Sequence, residues 1–176
     1  STTKNVGVLD LDSRFPMWSK KLLSAVRGFC QANGGLYALC ADRIVYGFGL
    51  VTGKDLTNFP TRPMPGDSSA LASGVVALSR SANSPAYVWA ASRAPIRDSG
   101  PLTDASLFAF CGDLGINLYG VGRRPKSGSE VVDAVFPPIV VPFDDGPMIG
   151  LAINGSFIPN GGNRSWAYLW YPDFRK

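Results

Sequence analysis

A chain of 176 residues is long enough to form one real core, with roughly 70% of its unfolded surface removed from water. Charged residues are only 17% of it, and the net charge of +4 is spread along the chain instead of gathered as in a nucleic-acid binder. Histidine is absent, which removes an imidazole general base, Ser–His and Cys–His nucleophile pairs and any His-containing zinc site.

Taken in order, residues 1–12 show no basic head leading into an apolar stretch, so no signal peptide is expected. No apolar run reaches the ~20 residues of a membrane-spanning helix. Residues 1–11 alternate weakly around Val6, Val8 and Leu9, as an edge strand or arm. A helix is predicted next. Asp12 or Ser13 caps it, Pro16 suits its first turn and Asn33-Gly34-Gly35 stops it. Trp18, Leu22, Ala25, Val26 and Phe29 recur there at helical spacing. Such a face packs on a sheet or, through Trp18, Leu22 and Phe29, touches a membrane.

From Leu36 the pattern is that of strands. Residues 36–40 and 44–50 flank a turn at Ala41-Asp42-Arg43. Residues 52–73, broken by Pro60, Pro63 and Pro65, read as a long loop. Residues 74–79 and 87–91 form the next strand pair, and 107–111 with 116–121 another. Val131-Val132-Asp133-Ala134-Val135-Phe136, Pro137-Pro138, and Ile139-Val140-Val141 lead to Asp144-Asp145-Gly146-Pro147, a turn between two strands. An aromatic strand, Trp166 to Tyr171, closes the chain. Short strands about every 8–12 residues predict an all-β domain, jelly-roll or β-sandwich like, with one N-terminal amphipathic helix. Residues 1–176 read as one domain, with 1–35 as arm and helix and 36–176 as the sandwich. Cys30, Cys40 and Cys111 each lie in an apolar segment and are expected as buried free thiols, with a Cys30–Cys40 bridge the alternative.

Candidate chemistry is sparse. Asp98-Ser99-Gly100 matches the triplet of paired-carboxylate proteases in a single copy, or is a simple turn. A Ser–Lys dyad needs no histidine, but Lys126 lies in a polar stretch, and no glycine-framed serine stands out beside Lys20 or Lys21. Asp133, Asp144 and Asp145 offer oxygen ligands for Ca²⁺, although adjacent acids before Gly-Pro more often form turns. No catalytic residue, metal site or cofactor is therefore assigned. Arg123, Arg124 and Lys126 form the most basic loop and suit a phosphate, a sulfated glycan or an acidic partner. Trp166, Tyr168 and Trp170 share one face of the closing strand, either buried or turned to a partner or glycan. Together with Asp98 these six residues are the candidate ligand contacts. Asn154-Gly155-Ser156 and Asn163-Arg164-Ser165 are glycosylation patterns.

Strand runs such as Gly74-Val75-Val76-Ala77-Leu78 and Phe136-Pro137-Pro138-Ile139-Val140-Val141, in a histidine-free chain rich in Pro, Gly and Ser, resemble the protruding or receptor-binding domains of small non-enveloped virus capsids and fibres. That resemblance implies a virion-surface location, homo-oligomers around a symmetry axis, and loops (52–73, 92–104, 122–130) that meet a host glycan or protein receptor. The expected function is non-enzymatic recognition and assembly. The alternatives are a His-free hydrolase of the Ser–Lys or Asp type, processing a polyprotein, and a membrane-active β protein.

Overall fold

The computed structural model describes residues 4–57, 59–64, 71–78, 86–94, 104–111, 117–122, 130–141, 148–157 and 163–170. Every regular element among them is a strand. They are β1 (Asn5–Leu9), β2 (Pro16–Lys21), β3 (Val26–Ala32), β4 (Gly35–Cys40), β5 (Val45–Gly49), β6 (Leu71–Leu78) and β7 (Tyr87–Ala94). β8 (Asp104–Cys111), β9 (Asn117–Gly122), β10 (Glu130–Val135), β11 (Ile139–Val141), β12 (Met148–Phe157) and β13 (Asn163–Trp170) complete them. The all-β class expected from the strand spacing is shown.

The N-terminal helix is not formed. Its span contains β2, a bend and β3, and β3 alternates strictly, with Val26, Gly28, Cys30 and Ala32 half-buried and Arg27, Phe29 and Gln31 exposed. The expected helix stop is a hairpin turn. Asn33 and Gly34 both have positive φ, at 45° and 70°, and Ala32 pairs directly with Gly35 across them. A two-residue Asn-Gly turn with φ > 0 at both positions matches the twist of the strands it joins. The 3.6-residue recurrence of Trp18, Leu22, Ala25, Val26 and Phe29 was thus a coincidence of two strands read through one bend.

The strands form successive antiparallel layers. β1 and β2 are a hairpin, β3-β4-β5 and β6-β7-β8-β9 are meanders, and β12 pairs with β10, β11 and β13. β10 and β11 lie end to end along one edge of β12, facing residues 157–153 and 150–148 respectively, with Pro137-Pro138 interrupting what is otherwise one strand. The strands expected on either side of Asp144-Asp145-Gly146-Pro147 are β11 and β12, paired antiparallel; those four residues lie outside the described residues.

Residues 54–57 and 59–64 run along the free edge of β5 as an irregular fourth strand. The N–H of Leu56 donates to Gly47 O, that of Thr61 to Val45 O and that of Met64 to Arg43 O. Phe59, Thr61 and Met64 are buried there. The described part of the expected 52–73 loop is therefore packed, because its apolar residues cover the sheet and its backbone closes an edge. Thr61 suits that burial: its hydroxyl accepts from Val45 N at 3.1 Å and donates to Arg62 O at 3.0 Å.

The central strands of the stack are covered on both faces, which explains why their sequences are apolar runs without alternation. All six residues of β4 are buried. One face contributes Ala38 and Cys40, with Phe48 from β5, to a cluster under the β1–β2 hairpin that also takes in Val6, Trp18 and Leu22. The other face, Tyr37 and Leu39 with Val45, packs on Val75, Val88 and Ala90 of the next sheet. Adjacent sheets also touch backbone to backbone. A Cβ built on Gly28 of β3 would lie 2.7 Å from Gly74 Cα of β6, and one on Gly74 would lie 2.5 Å from Pro137 Cβ. The first strands of two successive layers, β3 and β6, and the β10–β11 junction of the third thus stack through Gly28, Gly74 and Pro137.

Candidate functional site

The corner where the β1–β2 hairpin crosses the β3–β5 sheet is built by β2. Trp18 and Lys20 point inward from that strand, being half-buried between exposed neighbours. The Trp18 ring lies 5.7 Å from the Phe48 ring at 53°, and its Nε1–H donates to Leu50 O at 2.8 Å. Gly53, with φ of 65°, gives the indole room, since a Cβ there would fall 2.7 Å from the ring. Lys20 Nζ sits 4.9 Å above the Phe48 ring and 2.5 Å from Asp55 Oδ1. The lysine weighed for a Ser–Lys dyad is therefore held by a carboxylate and an aromatic face. Leu22 is buried below it and Phe29 is 69% exposed on β3, so Trp18, Leu22 and Phe29 do not share a membrane-facing surface.

The far end of the hairpin is a turn held by Asp10. Its carboxylate accepts from the Ser13 hydroxyl at 2.7 Å and the Asp12 N–H at 3.1 Å, and these bonds hold it below its ordinary acidity range. Arg14 takes the left-handed conformation there. Leu9, Leu11, Phe15 and Met17 are exposed around this turn, at 53%, 81%, 73% and 49%. Four large apolar side chains on one short hairpin stand apart from the single exposed leucines of an ordinary surface.

Beside β1 lies a cavity of about 380 Å³, lined by Asn5, Val6, Gly7, Val26, Arg27, Gly28, Phe29 and Leu36. Arg27 is its one cation. Sequence reasoning missed both this cavity and the apolar hairpin because it assigned β2 and β3 to a helix. The signal that marks them is the Asn33-Gly34 pair read as a hairpin turn.

Asp98, Arg123, Arg124 and Lys126 lie outside the described residues. Trp166, Tyr168 and Trp170 are placed by register on β13, opposite Ile153, Leu151 and Ile149 of β12. The intervening Ser165, Ala167 and Leu169 are exposed. Asn154 and Asn163 sit on adjoining strands, paired with Ser165 and Ser156. Among the described residues, no cluster of three or more acidic or cysteine side chains is placed to hold a metal, and no helix is long and apolar enough to cross a membrane.

Cys30 and Cys40 are free thiols, as expected, and lie on opposite faces of the β3–β5 sheet. Burial pushes both thiols up to about 12, Asp42 adding to the effect at Cys40, and burial with the Asp42 carboxylate pushes Tyr46 to about 12 as well. Folding thus favours the protonated forms. Above the ordinary thiol value of 9.0 the unfolded chain releases protons that the folded chain retains, so stability falls as pH rises from 9 toward 12. Urea midpoints are expected to be level up to pH 8 and to drop steadily at pH 9, 10 and 11. A midpoint unchanged at pH 11 contradicts the burial of these thiols.

No family model matches the chain, and no curated protein matches it. Among solved structures, the WD40 domain of coronin from Toxoplasma gondii superposes on 93% of this chain with a TM-score of 0.59 at 10% identity. The chain spans 40% of that protein's chain, and the likeness is one of fold alone.

Proposed function

We propose that this is a non-enzymatic recognition and assembly domain, and that it associates with further copies of itself through the tip of the β1–β2 hairpin. The observation that carries this reading is the group Leu9, Leu11, Phe15 and Met17, exposed on a hairpin whose opposite face is anchored by Trp18 and Val6. A rigidly mounted apolar loop is the usual form of a contact surface. The engagement of Lys20 with Asp55 favours the non-enzymatic reading over a Ser–Lys hydrolase. Placement on a virion, and contact with a host glycan or protein receptor through Asp98, Arg123, Arg124, Lys126 or the closing aromatic strand, extend the proposal on the strength of the sequence alone. As to architecture, sequential meanders and the WD40 likeness support a propeller-type stack of sheets over the jelly roll or two-sheet sandwich suggested by strand spacing.

Sedimentation velocity tests the assembly. The unaltered chain is expected to associate with rising concentration, and a Leu11→Asp, Phe15→Asp variant to remain monomeric with an unchanged melting temperature. A chain that is monomeric at every concentration, or a variant that associates equally, overturns the reading.

A further inference from the structure

The geometry points to the outer edge of β1 as an acceptor for an extended strand of a partner protein, one that alternates apolar and acidic side chains. β1 pairs with β2 alone, and no described strand lies along its other edge. Lys4 O accepts the Leu22 N–H. The antiparallel alternation then puts Val6 opposite Lys20 and Val8 opposite Trp18 in the hydrogen-bonded set. The N–H and C=O groups of Asn5 and Gly7 are left pointing away from β2, and both residues are exposed and line the cavity of about 380 Å³.

What lies beyond that edge is shaped for a strand. The first layer of the stack has two strands where the next has three and the irregular 54–64 segment, so the hairpin leaves part of the β3–β5 face uncovered. The uncovered part carries Phe29, which is 69% exposed, beside Leu36 and Val6. A strand added to β1 lies over β3, offers its backbone to Asn5 and Gly7, and turns every second side chain down onto Phe29 and Leu36. Arg27, exposed at the bulge of β3, has no carboxylate partner among the described residues, and it selects an acidic side chain at the rim. Unpaired edges are normally blunted, and although Lys4 flanks this one, residues 5–9 carry neither lysine nor proline.

The inference rests on the reading of the domain as a recognition module but uses a different surface from the hairpin tip. Labelled heptapeptides in which valine alternates with glutamate, threonine or lysine are titrated onto the full chain by fluorescence anisotropy. The glutamate peptide is expected to bind, and the lysine peptide to bind several-fold more weakly. Methylating the backbone nitrogens of the glutamate peptide removes its donors and is expected to weaken it about tenfold. Asn5→Pro deletes one outward N–H at a position where an edge strand tolerates proline, and is expected to weaken the same peptide comparably. Arg27→Glu, a change on the surface, is expected to reverse the preference between glutamate and lysine peptides. Absence of binding by every peptide, or binding indifferent to methylation and to Arg27→Glu, overturns the proposal. Self-association that Asn5→Pro abolishes while no peptide binds also overturns it, and makes a second copy of β1 the occupant. Self-association that only the Leu11→Asp, Phe15→Asp pair abolishes, with no peptide bound, overturns this proposal and leaves the assembly reading standing by itself.

Discussion

Gly28→Ala is expected to destabilise the domain by about 2–3 kcal/mol, against the sign that a strand substitution of glycine by alanine ordinarily has. In an open strand the added methyl restricts the unfolded chain and stabilises by about 0.4–1 kcal/mol. Here the methyl would stand 2.7 Å from Gly74 Cα and 3.1 Å from Gly74 N, and both are backbone atoms of the next sheet. No rotamer change relieves that contact; one sheet must move. The movement is not local, because Gly74 is itself pressed on Pro137, so the displacement passes from the β3–β5 sheet through β6 to the β10–β11 junction. For a chain of this size the loss corresponds to a fall in melting temperature of about 4–12 °C. Gly74→Ala is expected to behave similarly, and the double variant to cost less than the sum, since both changes open the same gap. Gly34→Ala serves as a reference. Nothing lies within 4 Å of its Cβ, so only the strain of a φ of 70° is felt, about 1 kcal/mol. A Gly28→Ala variant that melts at or above the original temperature would mean that β3 and β6 are not in backbone contact.

The glycine contacts illustrate what the sequence carried and what it did not. Strands β4 to β13 are legible because apolar, β-branched or aromatic runs end at Gly, Pro, Asp or Ser. The Ala41-Asp42-Arg43 turn was legible too: Asp42 Oδ1 accepts the Ile44 N–H and Arg43 takes a φ of 68°. Residues 16–32 read as a helix on spacing alone, whereas the turn chemistry at their end points to strands. Five apolar residues at helical intervals looked like a face, yet Arg27, Phe29 and Gln31 point one way and Gly28, Cys30 and Ala32 the other. Asn33-Gly34, the stronger local signal, fixes a hairpin whichever periodicity precedes it. The cavity beside β1 followed the same error, since Val26 to Phe29, which form its far wall on β3, fall within the expected helix. Long-range facts, such as residues 54–64 closing the edge of β5, depend on partners distant in sequence and leave no local pattern.

Trp18→Ala separates the two readings of residues 16–32 most sharply. On an amphipathic helix lying at a membrane, Trp18 would face lipid, and its loss would leave the fold in water intact. In the structure it fastens the hairpin to the stack. Its ring packs on Phe48, its Nε1–H is bound to Leu50 O at 2.8 Å, and Gly53 lies flat against the indole. Fully buried tryptophans cost about 3–5 kcal/mol on truncation, and this one is half-buried, so a loss of about 2–3 kcal/mol is expected in urea melts. Trp18→Phe keeps a ring on Phe48 and forfeits the hydrogen bond, and is expected to cost about 1 kcal/mol more than nothing and less than the alanine change. Loosening the hairpin also bares its tip, so native-state trypsin cleavage after Arg14 is expected to accelerate in Trp18→Ala well before global unfolding. The same variant bears on assembly: with its mount undone, Leu9, Leu11, Phe15 and Met17 are no longer held as one surface, and concentration-dependent association is expected to weaken although none of those four residues has changed. A Trp18→Ala protein that melts, resists trypsin and associates like the original would show that the hairpin does not depend on this anchor.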